Sequence, residues 1–328
     1  MKDAHSPPPR QKAAVALLSV TLNSILVMLK LAVGVMIGSI SVISEAIHSS
    51  VDLLAALIAY MAVKTSDKPA DLDHPFGHGK VENVSGAAEA LLIFLAAGWI
   101  IFEAVRKLQN PEPLEAAGWG VGVMLVASTA NILVSQRLFQ VGKETDSVAL
   151  QADAWHLRTD VYTSAGVMAG LIIIWAGSRI FPGADLRWVD PVAAIGVALM
   201  IIKAAYDLTV ESTRDLLDVS LPAEEEAHIR RHIASFAPAV RGFHRLRTRK
   251  SGASRFAEFH MFVDAGMSVD ESHRITDMIS VTIKEHYPGM TVIIHTEPCN
   301  GTCSSECNED CLLSDDDRRT IRSKDKMD

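Results

Sequence analysis

No cysteine precedes residue 299: the four present, Cys299, Cys303, Cys307 and Cys311, fall in the last thirty residues, so no disulfide can staple the body of the chain. There is no G-x-x-x-x-G-K-[ST] loop, which removes the phosphate cradle of an ATP-driven machine. H-E-x-x-H is also missing, and with it the general base of an intramembrane metalloprotease. A surplus of positive charge is lacking too; the net charge of −8 argues against nucleic acid as a partner. Residues 1–12 are polar and proline-rich, with no small-residue cleavage site after the first apolar run, so no secretory signal is read.

What is abundant is apolar surface, and it is unevenly spread. Hydrophobic residues make up 49% of the chain and cluster before about residue 210. A span needs roughly 20 mostly apolar residues. Six are expected, over about 13–37, 42–63, 84–105, 117–139, 149–176 and 189–210, with Lys30 and Glu45 interrupting the first two. The segments placed inside carry Lys2, Arg10, Lys12, Lys64, Lys68, Lys80, Arg137 and Lys143; the opposite side has Arg106, Lys107, Arg179 and Arg187. That bias puts both termini in the cytoplasm.

After the sixth span the pattern becomes that of a soluble domain. Leu221-Pro222 followed by Glu224, Glu225 and Glu226 starts a helix, with acids at the positive end of its dipole. Residues 240–250 and 255–264 read as strands around the turn Ser251-Gly252. Ser268-x-x-Glu271 forms a capping box for a helix stopping near Pro288-Gly289, and residues 290–296 make a third strand. The fold class expected is therefore an all-α, six-helix transmembrane domain plus a small α+β domain of order α-β-β-α-β. The expected divisions are an N-terminal segment 1–12, spans over 13–212, the soluble domain 213–298, and a charge-rich, disordered tail 299–328.

Within this frame two apolar runs carry the same polar pair. His48 and Asp52 lie four residues apart in the second, and His156 and Asp160 in the fifth. Residues four apart share a helix face, so two such faces meeting supply two nitrogens and two oxygens, a set that suits tetrahedral Zn²⁺. Ionisable groups at membrane depth cost about 2.5–3.5 kcal/mol each, which argues for function. Asp153 is read as a supporting group, and Glu89 in the third span either lines an aqueous path or lies close to the interface. His228-x-x-x-His232 has ligand spacing but falls on an exposed-looking helix, and is assigned to surface. The tail cysteines recur every fourth residue among Glu306, Glu309 and Asp310; in a reducing cytoplasm such thiols favour soft metal capture over disulfides.

Five motifs in order, HSSVD at 48–52, DHPFGHGKVE at 73–82, ADAWHLRTD at 152–160, HRLRTRKSG at 244–252 and IIHTEP at 293–298, resemble the cation diffusion facilitator family of divalent-metal exporters. The resemblance implies a homodimer of six-span protomers with metallochaperone-like cytoplasmic domains in a bacterial inner membrane, exporting metal against protons. By that resemblance His48, Asp52, His156 and Asp160 match the family's transport site, and Asp71, His74 and His78 a second metal site in a loop. His244, His260, His273, His295 and Glu297 match the cytoplasmic zinc ligands, partly across the dimer interface, with Glu297 where aspartate is common. Lys80 and Asp218 match a charged pair joining the two protomers. Zn²⁺ is accordingly expected as both cargo and regulator, with protons as the counter-substrate, a lipid bilayer as surroundings, and neither ATP nor nucleic acid as partner. The alternative is a membrane-anchored metal sensor that binds without moving ions; it leaves the intramembrane pairs unexplained.

Overall fold

A computed structural model describes residues 9–37, 40–109, 119–180, 188–300 and 309–324. The chain divides into two compact units, Met1–Leu216 and Leu217–Asp328, each taken here by itself.

The first unit is helical among the described residues: α1 (Pro9–Ile37), α2 (Ile40–Ser66), α3 (Lys80–Gln109), α4 (Trp119–Glu144), α5 (Val148–Ile180) and α6 (Val189–Leu216). Each corresponds to one expected span; α4 begins two residues inside its span, and the others start at or before theirs. At 1.5 Å per residue, a helix of 26 to 33 residues is longer than the roughly 30 Å hydrocarbon layer needs, so its polar ends reach beyond the lipid. Four helices have described stretches long and apolar enough to cross: Gln11–Met36, Ser49–Ser66, Lys80–Gln109 and Pro191–Leu216.

The packing suits lipid. On α3 the large side chains Leu91, Leu95, Trp99 and Phe102 are exposed along one stripe, a face that water would not tolerate at this size. Small side chains are buried instead: Ala90, Ala97, Ala152 and Ala205 pack with Ile93, Ile201 and Leu208 where α3, α5 and α6 meet. Lipid tails are as apolar as leucine, so such helices associate through close backbone approach. Gly86 shows how close: a Cβ there would sit 2.5 Å from Ser212 Oγ and 2.9 Å from Val148 Cγ1.

The second unit holds α7 (Ala223–Ala234), β1 (Gly242–Ser251), β2 (Ser254–Asp264), α8 (Val269–His286), β3 (Thr291–Cys299) and α9 (Asp315–Lys324). The sheet runs β1-β2-β3, with β1 antiparallel and β3 parallel to β2. Ile229 and Ile233 of α7, and Ile275, Ile279 and Ile283 of α8, recur every four residues and bury against Phe243, Ala257, Phe259, Met261 and Val263. Each side chain so buried contributes about 1.5–3 kcal/mol. The capping box at Ser268 and Glu271 forms as read. Because side chains alternate along a strand, the residues between those core positions project from the opposite sheet face.

One expectation is corrected in the tail. Residues 309–324 are ordered: Cys311 bridges to Gly242, Asp310 O accepts from Phe243 N at 3.3 Å, and Leu312 N donates to Arg241 O at 3.0 Å. Arg230 pairs with Asp310, and Leu312 packs on the core. Charge density argued for disorder, but a short strand edge was free to accept this segment, and one leucine anchors it.

Candidate metal centres

The four-residue spacing in α5 becomes a site because the helix is held on its other flank. Ala149, Leu150, Ala154 and Leu157 are fully buried against Val134, Leu138 and Val141 of α4 and Ala62 and Val63 of α2. With that rotation fixed, His156 Nε2 comes within 3.1 Å of Asp52 Oδ1 on α2, and their side chains are only 6% and 8% exposed. Asp52 and Asp160 line a cavity of about 620 Å³ among the helices, together with Lys30, Ser49 and Asn131. Lys30 Nζ donates to Ser49 Oγ at 2.7 Å. His156 Nδ1 is buried with no hydrogen-bond partner. The backbone puts His48 one turn before Asp52 on α2; its side chain lies outside the described residues. Three of the four sequence-assigned groups are thus placed on facing helices, two of them in contact.

Asp153 and Glu89 are completely buried near this site, each with a carboxylate oxygen that has no hydrogen-bond partner; the other oxygen of Glu89 accepts from Ser85 Oγ at 3.3 Å. Glu89 is enclosed by the helices rather than open at the protein surface. A separate group went unread in the sequence. Lys12 Nζ meets Asp67 at 2.8 Å and Glu82 at 3.3 Å, and Glu82 also accepts from Ser66 at 2.7 Å and from Ser147. Lys12 and Glu82 alone are 70 positions apart, and only the helix packing brings the group together.

In the α2–α3 loop, Asp71, His74 and His78 each offer a ligand atom within 4.8 Å of the others. Asp71 Oδ1 accepts from the His74 backbone amide at 2.7 Å, and Gly77, at φ +83°, lets the chain turn back towards His78. His74 Nδ1 and His78 Nε2 stand 3.4 and 3.3 Å from the carboxylate. The His74 amide, first, and the two imidazoles hold the Asp71 carboxyl below its ordinary value. It is exposed and favours the deprotonated form that a cation ligand needs.

On the open face of the sheet the strand register does the assembly. His244 pairs with His260, and His260 with His295, so three imidazoles form one row across three strands. An extra residue in β1 between His244 and Arg247 keeps both on this face. Glu297, two residues beyond His295, reaches back along the row: Oε1 accepts from His260 Nδ1 at 2.7 Å and Oε2 from His244 Nε2 at 3.2 Å. His295 Nε2 is 3.7 Å away. Burial pushes the Glu297 carboxyl up, but the bonds from His260 and His244 outweigh it and hold it below the ordinary value. His273 does not join this row within the chain. It lies two residues before Ile275, about 200° around α8, and pairs with Asp277 at 3.5 Å.

Two family models match the two units in turn. The cation efflux transmembrane domain matches residues 16–217, and the cation efflux cytoplasmic domain matches 221–299. The chain belongs to the cation diffusion facilitator family. An uncharacterized transporter of Synechocystis sp. is 34% identical over 270 residues, covering 82% of this chain and 85% of that protein. The cation-efflux pump FieF of Yersinia pestis is 33% identical over 287 residues, covering 88% and 93%. The solved structure of a candidate zinc transporter, CzrB, is 34% identical and covers 24% of this chain and 98% of its own, with a TM-score of 0.23.

As a cation diffusion facilitator the protein is a multi-pass membrane transporter rather than an enzyme. Its remaining sequence-assigned groups are placed as follows. Lys80 Nζ donates to Leu216 O at 3.4 Å, and Asp218 accepts from Arg249 Nη1 at 3.4 Å. Cys299 ends β3 and Cys311 sits on the β1 edge, both as free thiols; Cys303 and Cys307 lie outside the described residues. His228 and His232, read as surface, are joined by His286.

Proposed function

We propose that this cation diffusion facilitator exports Zn²⁺ from the cytoplasm in exchange for protons. It works as a homodimer of six-span protomers, with both termini in the cytoplasm of a bacterial inner membrane. The observation that carries the reading is the buried contact of His156 with Asp52 at 3.1 Å, inside helices whose outer faces suit lipid. Two ionisable groups placed there by chance would cost about 2.5–3.5 kcal/mol each.

His48, Asp52, His156 and Asp160 supply two imidazoles and two carboxylates. Four borderline ligands favour Zn²⁺ over Mg²⁺ or Ca²⁺, which take six or more oxygens. The ion enters from the cytoplasm on deprotonated ligands. The helices then rock about the site, and protons on the acidic side compete for the same lone pairs and displace it. Histidine titrates near neutrality, so a modest pH difference is enough to drive the exchange.

The loop group Asp71, His74 and His78 serves as a second, open metal site. Zinc on His244, His260, His295 and Glu297, with His273 contributed across the dimer, tightens the pairing of two cytoplasmic domains and raises the transport-competent population. Lys80 and Asp218 tie the protomers together, and the tail thiols Cys299, Cys303, Cys307 and Cys311 concentrate the ion.

The test is zinc flux in proteoliposomes with Asp160→Ala. That change removes one ligand and no large packing group, so the expected result is a folded dimer without flux. Flux near the wild-type rate would remove Asp160 from the site.

A further inference from the structure

The layer of α7 and α8 that covers the other face of the sheet carries its own group of imidazoles. His228 and His232 are one turn apart on α7, and His286 ends α8. Ring centroids of His228 lie 3.9 Å from His286 and 4.5 Å from His232, and His232 is 5.8 Å from His286. One ring nitrogen from each lies within 4.8 Å of the other two. The sheet-face row projects from the opposite side of β1–β3, so the two groups are separate.

Two features mark the group as more than packed rings. First, His228 Nδ1 and His232 Nε2 are buried and have no hydrogen-bond partner. A buried nitrogen left unsatisfied costs about 1–3 kcal/mol, and two side by side ask for a shared partner. Second, the group itself contains no carboxylate. A nitrogen-only set beside an arginine is a poor host for Mg²⁺ or Ca²⁺ and a good one for the borderline ions Zn²⁺, Cu²⁺ and Ni²⁺.

We propose that His228, His232 and His286 form a metal site that takes a borderline divalent ion, Zn²⁺ in the first instance, and fastens α7 to the end of α8. Two nitrogens on a tetrahedral zinc stand roughly 3.4 Å apart, a spacing the three ring nitrogens, all within 4.8 Å of one another, can reach by small side-chain rotations. Three protein ligands leave a fourth position open to water on the side of exposed His286. The ion adds a cross-link above Ile229 and Ile233 of α7 and Ile279 and Ile283 of α8, the residues that already hold the layer to the sheet. The site does not depend on the transport reading: it requires only that metal reach this unit.

The experiment uses the full chain in detergent micelles, stripped of metal and titrated with Zn²⁺ against a calibrated chelator. His286→Gln, on an exposed side chain, is expected to bind one ion fewer per protomer than wild type while matching its metal-free far-UV dichroism. His260→Gln, on the sheet face, should keep this ion and lose a different one. Hydrogen exchange on the wild-type protein gives an independent reading: zinc should slow exchange in residues 223–234 and 280–286, and should still do so in His260→Gln. An unchanged ion count in His286→Gln, or no zinc-dependent protection of α7 and the end of α8 in wild type, overturns the site and leaves the rings as stacked packing.

Discussion

Glu297→Gln should weaken zinc at the sheet-face site roughly 30- to 150-fold while leaving the fold intact. The side chain keeps its shape and length, so the amide can still reach His260 and His244, which the carboxylate now meets at 2.7 and 3.2 Å. What is lost is one negative charge beside a doubly charged ion. The Glu297 side chain is 27% exposed, so a water-like dielectric is the conservative choice. A carboxylate centred about 2.5 Å from the ion then contributes about 3 kcal/mol. The amide dipole returns part of this, leaving a deficit of about 2–3 kcal/mol, which converts to the stated range. Glu297→Asp separates charge from reach. Strands are spaced about 4.8 Å apart, so a β3 side chain must cross the width of β2 to reach His244, and the shorter arm falls back towards His295. The expected order of affinity is wild type, then Asp, then Gln. The assay is chelator competition on the full chain, with hydrogen exchange in β1 and β3 showing that this site is the one loading. Equal affinity for wild type and Gln, with zinc still protecting β1 and β3, would refute the assignment of Glu297 as a ligand.

Ser268→Ala removes the oxygen that accepts from Glu271 N at 3.2 Å, and should destabilise α8 by about 1 kcal/mol in thermal melts. In the wild-type protein the Ser268 backbone amide, followed by its hydroxyl, holds the Glu271 carboxyl below its ordinary value. That contribution is therefore present above the unfolded value near pH 4.3 and lost as pH falls through the lower folded value. The alanine variant should show a shallower acid limb; an identical limb would mean the box contributes nothing in solution. Truncation after Pro298 removes the backbone pairings of Phe243 with Asp310 and of Leu312 with Arg241, and the anchor Leu312. At about 0.5–1.5 kcal/mol per hydrogen bond, and about 1 kcal/mol for the partly buried Leu312, the second unit should lose about 2–4 kcal/mol. Replacing all four cysteines by serine instead should spare that stability and lower metal capture alone. An unchanged melt after truncation would return the tail to a solvated appendage.

Much of this was legible from local pattern. Apolar runs marked the six long helices, though all but α1 end three to six residues later than the runs do, because hydropathy measures the lipid-buried part and not the helix. Turn residues and the capping box bounded α8, β1 and β2 to within a residue or two, whereas β3 runs three residues past its expected end. The spacing of His156 with Asp160 put both on one face of α5, and the contact of His156 with Asp52 is where that helix meets α2; the side chain of His48 lies outside the described residues. Long-range approach was not legible. Lys12, Asp67 and Glu82 gave no joint signal, since what assembles them is the angle at which helices cross. His286 could not be added to His228 and His232 until α8 lay against α7. A nearer signal did exist, because the 3.6-residue period puts Ile275, Ile279 and Ile283 inward and therefore His273 outward. For the tail, counting charge hid the one leucine that decided the outcome.

Proton coupling is the claim from which the rest of the transport account follows, and one measurement addresses it directly. Wild-type protein is reconstituted into sealed vesicles holding a pH-sensitive dye and a zinc indicator, with an acidic lumen. The account predicts that external zinc accumulates inside, that the lumen turns alkaline as it does so, and that a protonophore abolishes the excess. Zinc entry that proceeds at the same rate and extent with and without the gradient, and moves no protons, would contradict it.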